Sequence, residues 1–104
     1  MPSDWFTEKH EASGSSIGYR VDERLAEAAT PFQHIEVYRT TDWGNLMVID
    51  GCTMLTTRDN FLYHEMMTHP ALYTHAAPAN VVIIGGGDCG TLREVLRHPE
   101  VESV

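Results

Sequence analysis

The sequence predicts an α+β protein in which a small antiparallel β-sheet precedes the opening strand, loop and helix of a parallel α/β domain. Three observations support this prediction. Apolar and polar residues alternate over 17–24 and again over 32–40, which is typical of half-buried strands. Asp50-Gly51 lies between two short apolar runs and is a strong signal for a hairpin turn. The β-branched run 81–84 is followed by glycines and then by a helical pattern.

The β-sheet is expected to occupy roughly residues 1–60. Its opening segment, Met1–Ser16, is polar and ends in a Ser/Gly-rich loop. Trp5 is the aromatic residue of this segment that we expect to anchor packing. Leu25–Thr30 is rich in Ala and Glu, so it is ambiguous between an extended segment and a helical turn.

Gln33 has the same strand parity as its apolar neighbours Ile35 and Val37, so its amide is expected on the buried side of the strand. A buried amide needs hydrogen-bond partners. The pattern leaves two alternatives open: the backbone satisfies this amide, or the strand presents it to a ligand.

A connecting helix and linker are expected over residues 61–80. Leu62, Met66 and His69 recur at helical spacing and form one predicted stripe. Pro70 is expected to restart or kink this helix, because proline lacks the backbone donor of a continuous helix.

The α/β domain is expected over residues 81–104. A strand that is buried on both faces needs neighbours on either side, and one strand with one helix cannot supply them. Pro99 ends the predicted helix, and 101–104 resemble the start of a second strand. We therefore expect the chain to be a fragment of a longer protein, truncated at residue 104 inside its nucleotide-binding domain.

Asp88 is the informative residue of the glycine loop. Gly85, Gly87 and Gly90 satisfy the G-x-G-x-x-G spacing, which would place a pyrophosphate at the helix N-terminus. A carboxylate at about 4 Å would repel that anion by roughly 4 kcal/mol at an effective dielectric near 20. Asp88 therefore favours a neutral or cationic ligand, such as a sulfonium nucleoside with an amine tail. The alternative is that Asp88 only caps the helix.

Composition excludes several classes of partner. The 104 residues carry a net charge of −8, which argues against nucleic acid and anionic membranes. No apolar run approaches the 18 residues of a membrane span, and the N-terminus lacks an apolar signal core. Two isolated cysteines, Cys52 and Cys89, indicate a reducing, cytoplasmic compartment, and each is predicted to be a small buried apolar residue.

No metal site is predicted. His64 and His69 superficially resemble the H-E-x-x-H zinc motif, but that motif requires a spacing of four. Their spacing of five turns the two side chains about 140° apart on a helix. Tyr63 and His64 open the connecting helix, where they could line an interdomain cleft. The simpler alternative is an exposed histidine and a core tyrosine.

Several motifs, taken together and in order, resemble the spermidine synthase family of polyamine aminopropyltransferases. The resemblance covers essentially the whole chain. It rests on Asp4-Trp5-Phe6-Thr7-Glu8, Phe32-Gln33-His34-Ile35, Gly44-Asn45-Leu46-Met47-Val48-Ile49-Asp50-Gly51, Thr57-Arg58-Asp59-Asn60-Phe61, Tyr63-His64-Glu65-Met66 and Gly85-Gly86-Gly87-Asp88.

This resemblance implies a β-stranded N-terminal domain followed by a Rossmann-like, class I methyltransferase-like α/β domain. It implies transfer of an aminopropyl group from decarboxylated S-adenosylmethionine to putrescine, which gives spermidine and methylthioadenosine, with no permanently bound cofactor. It also implies a homodimer or homotetramer. The implied donor and methylthioadenosine contacts are Gln33, Gly85, Gly86 and Asp88, and the implied polyamine contacts are Tyr63, His64, Asp88 and Trp5.

Three positions depart from the family pattern and bear on specificity: Met54, Cys89 and Asn60. The resemblance places the catalytic, proton-accepting aspartate C-terminal to Val104, so we expect no catalytic residue within residues 1–104 and no activity of this segment alone. Putrescine, cadaverine and agmatine remain alternative acceptors. An S-adenosylmethionine-dependent N-methyltransferase and a non-catalytic polyamine-binding fragment are the alternative functions.

Overall fold

The protein is described here by a computed structural model that covers residues 4–104, and the chain divides into two compact units between Asp59 and Asn60. Residues 1–3 of the predicted polar segment lie outside the described part. The first unit is one antiparallel sheet whose strands neighbour each other in chain order. The strands are β1 (Trp5–His10), β2 (Ser15–Ala29), β3 (His34–Thr40), β4 (Asn45–Ile49) and β5 (Cys52–Thr56).

Two segments of this unit differ from the sequence-based expectation. Residues 5–10, for which no strand was expected, form strand β1, because they pair in register with β2 from Trp5 opposite Arg20 to His10 opposite Ser15. The possible helical turn over Leu25–Thr30 is wrong, since β2 continues as a strand to Ala29. Pairing with β3 outweighs the weak helical preference of the Ala/Glu-rich sequence.

The hairpin predicted from Asp50-Gly51 is confirmed. Asp50 and Gly51 both have positive φ, 51° and 77°, as a two-residue turn with right-handed strand twist requires. The turn joins β4 to β5, and β4 supplies the two fully buried aliphatic side chains of the sheet, Leu46 and Val48. These residues alternate along the strand, so the predicted period of two places them on one buried face.

A side chain links the first and last strands of the sheet. The Glu8 carboxylate in β1 accepts a hydrogen bond from the backbone N–H of Thr53 in β5. This bond holds the pKa of Glu8 below its ordinary value. The sheet therefore curls enough for its two outer strands to approach each other.

The second unit contains two helices, α1 (Asn60–Thr74) and α2 (Gly90–Val95). Pro70 lies inside α1, which continues to Thr74, so the expected restart is not observed. The helix tolerates proline at this position, and the Thr74 hydroxyl donates to the Pro70 carbonyl at 2.5 Å. No helix among residues 4–104 is long and apolar enough to cross a membrane.

The strand predicted over 81–84 is not formed. Val82 and Ile84 are 86% and 97% exposed, and the segment is anchored by one parallel bridge between Asn80 and Ser103. Next to this bridge, the Val81 N–H donates a backbone hydrogen bond to the Ser103 carbonyl. A strand needs hydrogen-bonded neighbours along its length, and the described residues offer only this short partner.

The buried face of α1 differs from the predicted stripe. Leu62 and Met66 are exposed, whereas His64 and Thr68 are buried at 2% and 1% exposure. Apolarity alone predicted the stripe, but the helix packs the polar pair His64 and Thr68 inward, four residues apart on one face. In α2, the charged residue Glu94 is buried beside Val95.

Candidate functional site

The glycine loop turns sharply before α2. Gly85 and Gly86 have φ values of 85° and 67°, a region that favours glycine. Gly87 lacks a positive φ, and Cys89 has φ 63°. The G-x-G-x-x-G spacing therefore identified the right loop, but the positive φ values occur at residues 85, 86 and 89.

Asp88 is held at the end of this loop. Its Oδ1 accepts a hydrogen bond from the Gly90 N–H at 2.7 Å, and the side chain is 23% exposed. This is a local bond to the first residue of α2, although the N-cap residue of that helix is Cys89 and not Asp88. That bond uses one lone pair of a carboxylate that has about four acceptor sites, so the group keeps capacity for a ligand.

His64 is buried against Asp88 and Gly90. Its Nε2 lies 3.2 Å from Asp88 Oδ1, an ion-pair distance, but the two atoms are out of line for a hydrogen bond. On its other side, Nδ1 lies 3.2 Å from Asn60 Oδ1. A Cβ at residue 90 would collide with the imidazole ring, so only glycine lets the ring pack this closely.

Tyr63 lies beside His64 and has the opposite environment. It is 56% exposed, and its ring meets the His64 ring edge-on with centroids 5.4 Å apart. The simpler sequence interpretation, an exposed histidine and a core tyrosine, is therefore wrong. Helical geometry points adjacent residues in different directions, and it is His64 that faces α2.

The buried carboxylate of Glu94 contacts three basic side chains, of which the two arginines are largely exposed. Its carboxylate accepts hydrogen bonds from Arg97 at 2.9 Å, from Arg93 at 3.2 Å and from His69 at 3.2 Å. Burial raises its pKa, but the bonds from Arg97 and Arg93 outweigh burial and hold that pKa below its ordinary value. His69 also contacts His98 Nε2 through Nδ1 at 2.8 Å.

Within residues 4–104, two groups of ligand-type atoms lie close enough to hold a metal ion. One comprises Glu65, His69 and Glu94 and the other Glu27, His34 and Glu36. An arginine side chain contacts the carboxylates of each group. Arg97 contacts Glu65 and Glu94, and Arg24 contacts Glu27 and Glu36. A guanidinium already supplies the positive charge that a metal would bring, so the donor set does not fit a metal centre.

Two predicted ligand contacts lie in the first unit. Gln33 is exposed and stands one residue before β3, in a turn whose Thr30 N–H donates to the Gln33 carbonyl at 2.9 Å. The strand-parity argument for a buried amide is therefore wrong, because Gln33 is not part of the strand. Trp5 is half-exposed, with the Arg20 guanidinium 5.3 Å from its ring centroid.

Both cysteines are exposed and reduced, in contrast to the buried positions expected for them. Cys52 is the first residue of β5, directly after the hairpin turn, and Cys89 lies in the glycine loop, so neither residue belongs to the core. Met54, another departure from the family pattern, is also half-exposed in β5.

Sequence reasoning missed the link from α2 to His64. Arg93 Nη2 donates to Asn60 Oδ1 at 3.2 Å, so one amide oxygen meets both Arg93 and His64. The four-residue spacing of Asn60 and His64, which places them on one helix face, was the available signal. No local pattern indicates that Arg93 completes the group.

The sequence comparisons cover both units. Residues 4–57 match the model of the spermidine synthase tetramerisation domain, and residues 60–104 match the spermine/spermidine synthase domain. A polyamine aminopropyltransferase of Xylella fastidiosa (strain 9a5c) is 68% identical over 96% of this chain and 35% of its own length. One from Stenotrophomonas maltophilia (strain R551-3) is 66% identical over 98% of the chain and 36% of its own length. The chain thus spans about a third of these relatives.

Solved structures give the same result. A spermidine synthase in complex with the transition-state analogue AdoDATO superposes with a TM-score of 0.90 at 37% identity, over 95% of this chain and 35% of that one. The spermidine synthase of Thermotoga maritima matches equally well, over 34% of its length. These matches confirm the predicted fold class. Because the family models account for nearly all of residues 4–104, the chain belongs to the spermidine synthase family.

Proposed function

We propose that the complete protein transfers an aminopropyl group from decarboxylated S-adenosylmethionine to putrescine, producing spermidine and methylthioadenosine. Membership of the spermidine synthase family supports this proposal, as do relatives named polyamine aminopropyltransferase. A structural relative that binds the analogue AdoDATO supports decarboxylated S-adenosylmethionine as the co-substrate. The chain's own contribution is a carboxylate in the loop where a dinucleotide-binding protein would hold a pyrophosphate.

The oriented, partly exposed carboxylate of Asp88 is the observation that carries the proposal. The donor has a sulfonium and a terminal ammonium, and both are cations that a carboxylate attracts. The Gly90 N–H fixes Asp88 Oδ1, and the side chain is partly open to solvent. A preoriented carboxylate binds an ammonium more tightly than a mobile one because less side-chain entropy is lost on binding.

We assign the remaining ligand contacts from the family resemblance. Gly85 and Gly86 would let the backbone approach the donor, and Gln33 would contact the donor and methylthioadenosine. The polyamine contacts would be Tyr63, His64, Asp88 and Trp5. The exposure of Tyr63 and Trp5 is compatible with contact to a ligand, whereas the buried ring of His64 is suited to act through Asp88.

The proposed reaction is a single displacement. The neutral acceptor amine attacks the carbon beside the sulfonium, the carbon–sulfur bond breaks, and methylthioadenosine leaves with that electron pair. The enzyme aligns the two reactants and accepts the proton that the amine loses. The resemblance places the proton acceptor after Val104, so residues 4–104 contribute donor and amine binding rather than this proton transfer.

The proposal is tested by incubating the complete protein with decarboxylated S-adenosylmethionine and each of three acceptors: putrescine, cadaverine and agmatine. We expect methylthioadenosine and spermidine with putrescine. Methyl transfer from S-adenosylmethionine to putrescine, without aminopropyl transfer, would establish the N-methyltransferase alternative. Binding of either substrate without any product would establish a non-catalytic polyamine-binding protein.

Assembly and localisation complete the proposal. We propose a homo-oligomer, either a dimer or a tetramer, since residues 4–57 match a tetramerisation domain and β-sheet edges are commonly covered by partners. We also propose a cytoplasmic location, which agrees with two cysteines that are not paired. Mass measurement in solution over a range of concentrations distinguishes dimer, tetramer and monomer.

A further inference from the structure

The side chain of Asn60 fixes which nitrogen of His64 carries the hydrogen. Arg93 donates to Asn60 Oδ1, so this atom is the amide oxygen and not the nitrogen. The same oxygen lies 3.2 Å from His64 Nδ1. Because an amide oxygen only accepts hydrogen bonds, Nδ1 must be the donor in this contact.

The other nitrogen of the ring, Nε2, is buried, lies 3.2 Å from Asp88 Oδ1, and has no hydrogen-bond partner among the described residues. A hydrogen on Nε2 would not point at Asp88 and would be buried without an acceptor. Leaving a charged group unsatisfied costs more than leaving a neutral one, which disfavours the imidazolium.

The charged groups around the ring agree with this assignment. Arg93 shares the Asn60 oxygen, so a protonated His64 would place two cations on one acceptor. Asp88 is the facing group that favours a cationic ring. Glu94 on α2 is bonded to Arg93, Arg97 and His69 rather than to His64.

We propose that Asn60, held by Arg93, is a positioning residue that places the hydrogen of His64 on Nδ1, while the lack of an acceptor for a hydrogen on Nε2 keeps the ring neutral. The charge of Asp88 thereby remains available to a cationic amine. The amine part rests on the proposed function. A protonated His64 at 3.2 Å from Asp88 would pair with the carboxylate and compete with the ammonium of the donor. Asn60 would therefore affect amine affinity without touching the amine.

The first test is nitrogen NMR of the complete protein without ligand. We expect the His64 side chain to show a protonated Nδ1 and a bare Nε2 at pH 8, whatever reaction the protein catalyses. A neutral ring with its hydrogen on Nε2, or a ring that is still an imidazolium at pH 8, would overturn the proposal. In Asn60→Ala we expect the Nδ1–H preference to disappear, and its persistence would equally overturn it.

The second test is Asn60→Asp, which places a carboxylate against Nδ1 and favours the imidazolium. At pH 6.5, affinity for decarboxylated S-adenosylmethionine should fall roughly five- to tenfold, the difference between a charged and a neutralised hydrogen-bond acceptor. The loss should diminish toward pH 8.5. Methylthioadenosine, which lacks the ammonium, should bind with little change.

Asn80→Asp is the matched control, because it makes the same chemical change in the same unit. Asn80 Oδ1 accepts from the Ser103 hydroxyl, and an aspartate can accept that bond as well. A pH-independent loss in Asn60→Asp, or the same loss in both variants, would mean that Asn60 is merely structural. If NMR gives the expected nitrogen assignment but the donor does not bind wild type, the proposed function fails and the positioning of His64 stands.

Discussion

The imidazole ring of His64 lies in the space that a side chain at residue 90 would need, so Gly90 and His64 form a matched pair between α2 and α1. The carboxylate of Asp88 accepts the N–H of the same Gly90. One residue without a side chain therefore allows the ring to pack and also orients the carboxylate. The geometry of the proposed donor site depends on this contact.

Gly90→Ala is expected to destabilise the protein by about 1–3 kcal/mol, the usual cost of forcing a methyl group into a packed site. Activity should fall as well, because displacing the His64 ring disturbs Asp88. Thermal unfolding and methylthioadenosine production measure the two effects. Gly87→Ala is the control, since a Cβ there meets nothing within 4 Å and residue 87 has no positive φ. Equal effects of the two variants would contradict the packing argument.

Asp88→Asn separates capping from ligand binding. Asparagine caps as well as aspartate and can still accept the Gly90 N–H, so stability without ligand should change little. A lost charge-assisted bond to the donor ammonium, worth about 1.5–3 kcal/mol, corresponds to roughly tenfold to a hundredfold in affinity. Calorimetry with decarboxylated S-adenosylmethionine measures this loss. Methylthioadenosine should lose much less affinity, and equal losses for both ligands would show that Asp88 does not hold the ammonium.

Cys89→Gly is expected to stabilise the protein by about 0.5–1 kcal/mol. The left-handed conformation of Cys89, φ 63°, costs a residue with a Cβ about 1–2 kcal/mol, and glycine avoids this cost while adding some unfolded-state entropy. Chemical denaturation measures the change. Cys52→Gly is the control, because Cys52 has no positive φ and should gain nothing. A destabilised Cys89→Gly would show that the thiol makes a larger contribution than the strain.

Glu94→Gln is expected to make the protein less stable at pH 7. Arg97 and Arg93 hold the folded pKa of Glu94 below its ordinary 4.5, so the charged form contributes stability that is full above that value. The contribution disappears as the pH falls through the lower, folded pKa, and the two proteins should then converge. Thermal unfolding between pH 7 and pH 3 measures this. Glu100→Gln, at an exposed position, should show no such pH dependence, and a constant difference for Glu94→Gln would contradict the ion-pair explanation.

The sequence predicted the parts of the fold that local patterns determine. Asp50-Gly51 specified its turn because both residues tolerate positive φ, and alternation located β3 within two residues. β1 was missed because its pairing with β2 is a tertiary feature, and Val81–Ile84 was assigned a strand although strand formation depends on neighbours. The strand preference of a local sequence does not indicate whether a neighbouring strand is present to pair with it.

The candidate site was likewise predicted where local motifs determine it and missed where tertiary packing does. Motifs identified Asp88 and His64, since a charged residue in a glycine loop and a histidine near a helix start can be recognised from the sequence alone. The burial of His64 and the exposure of Tyr63 were predicted the wrong way round, because the position of α2 decides which face of α1 is covered. The Asn60–Arg93 contact joins residues 33 positions apart and left no sequence signal.

The bond between Glu8 and Thr53 has a kinetic consequence. The neighbouring strands of this sheet follow one another along the chain, so each hairpin can form from local segments, whereas this bond joins residues 45 positions apart. It can form only after the intervening hairpins have assembled, so it contributes little to the folding transition state. Interactions absent from that state act on the unfolding rate. We therefore expect Glu8 to lengthen the lifetime of the folded sheet without hastening its assembly.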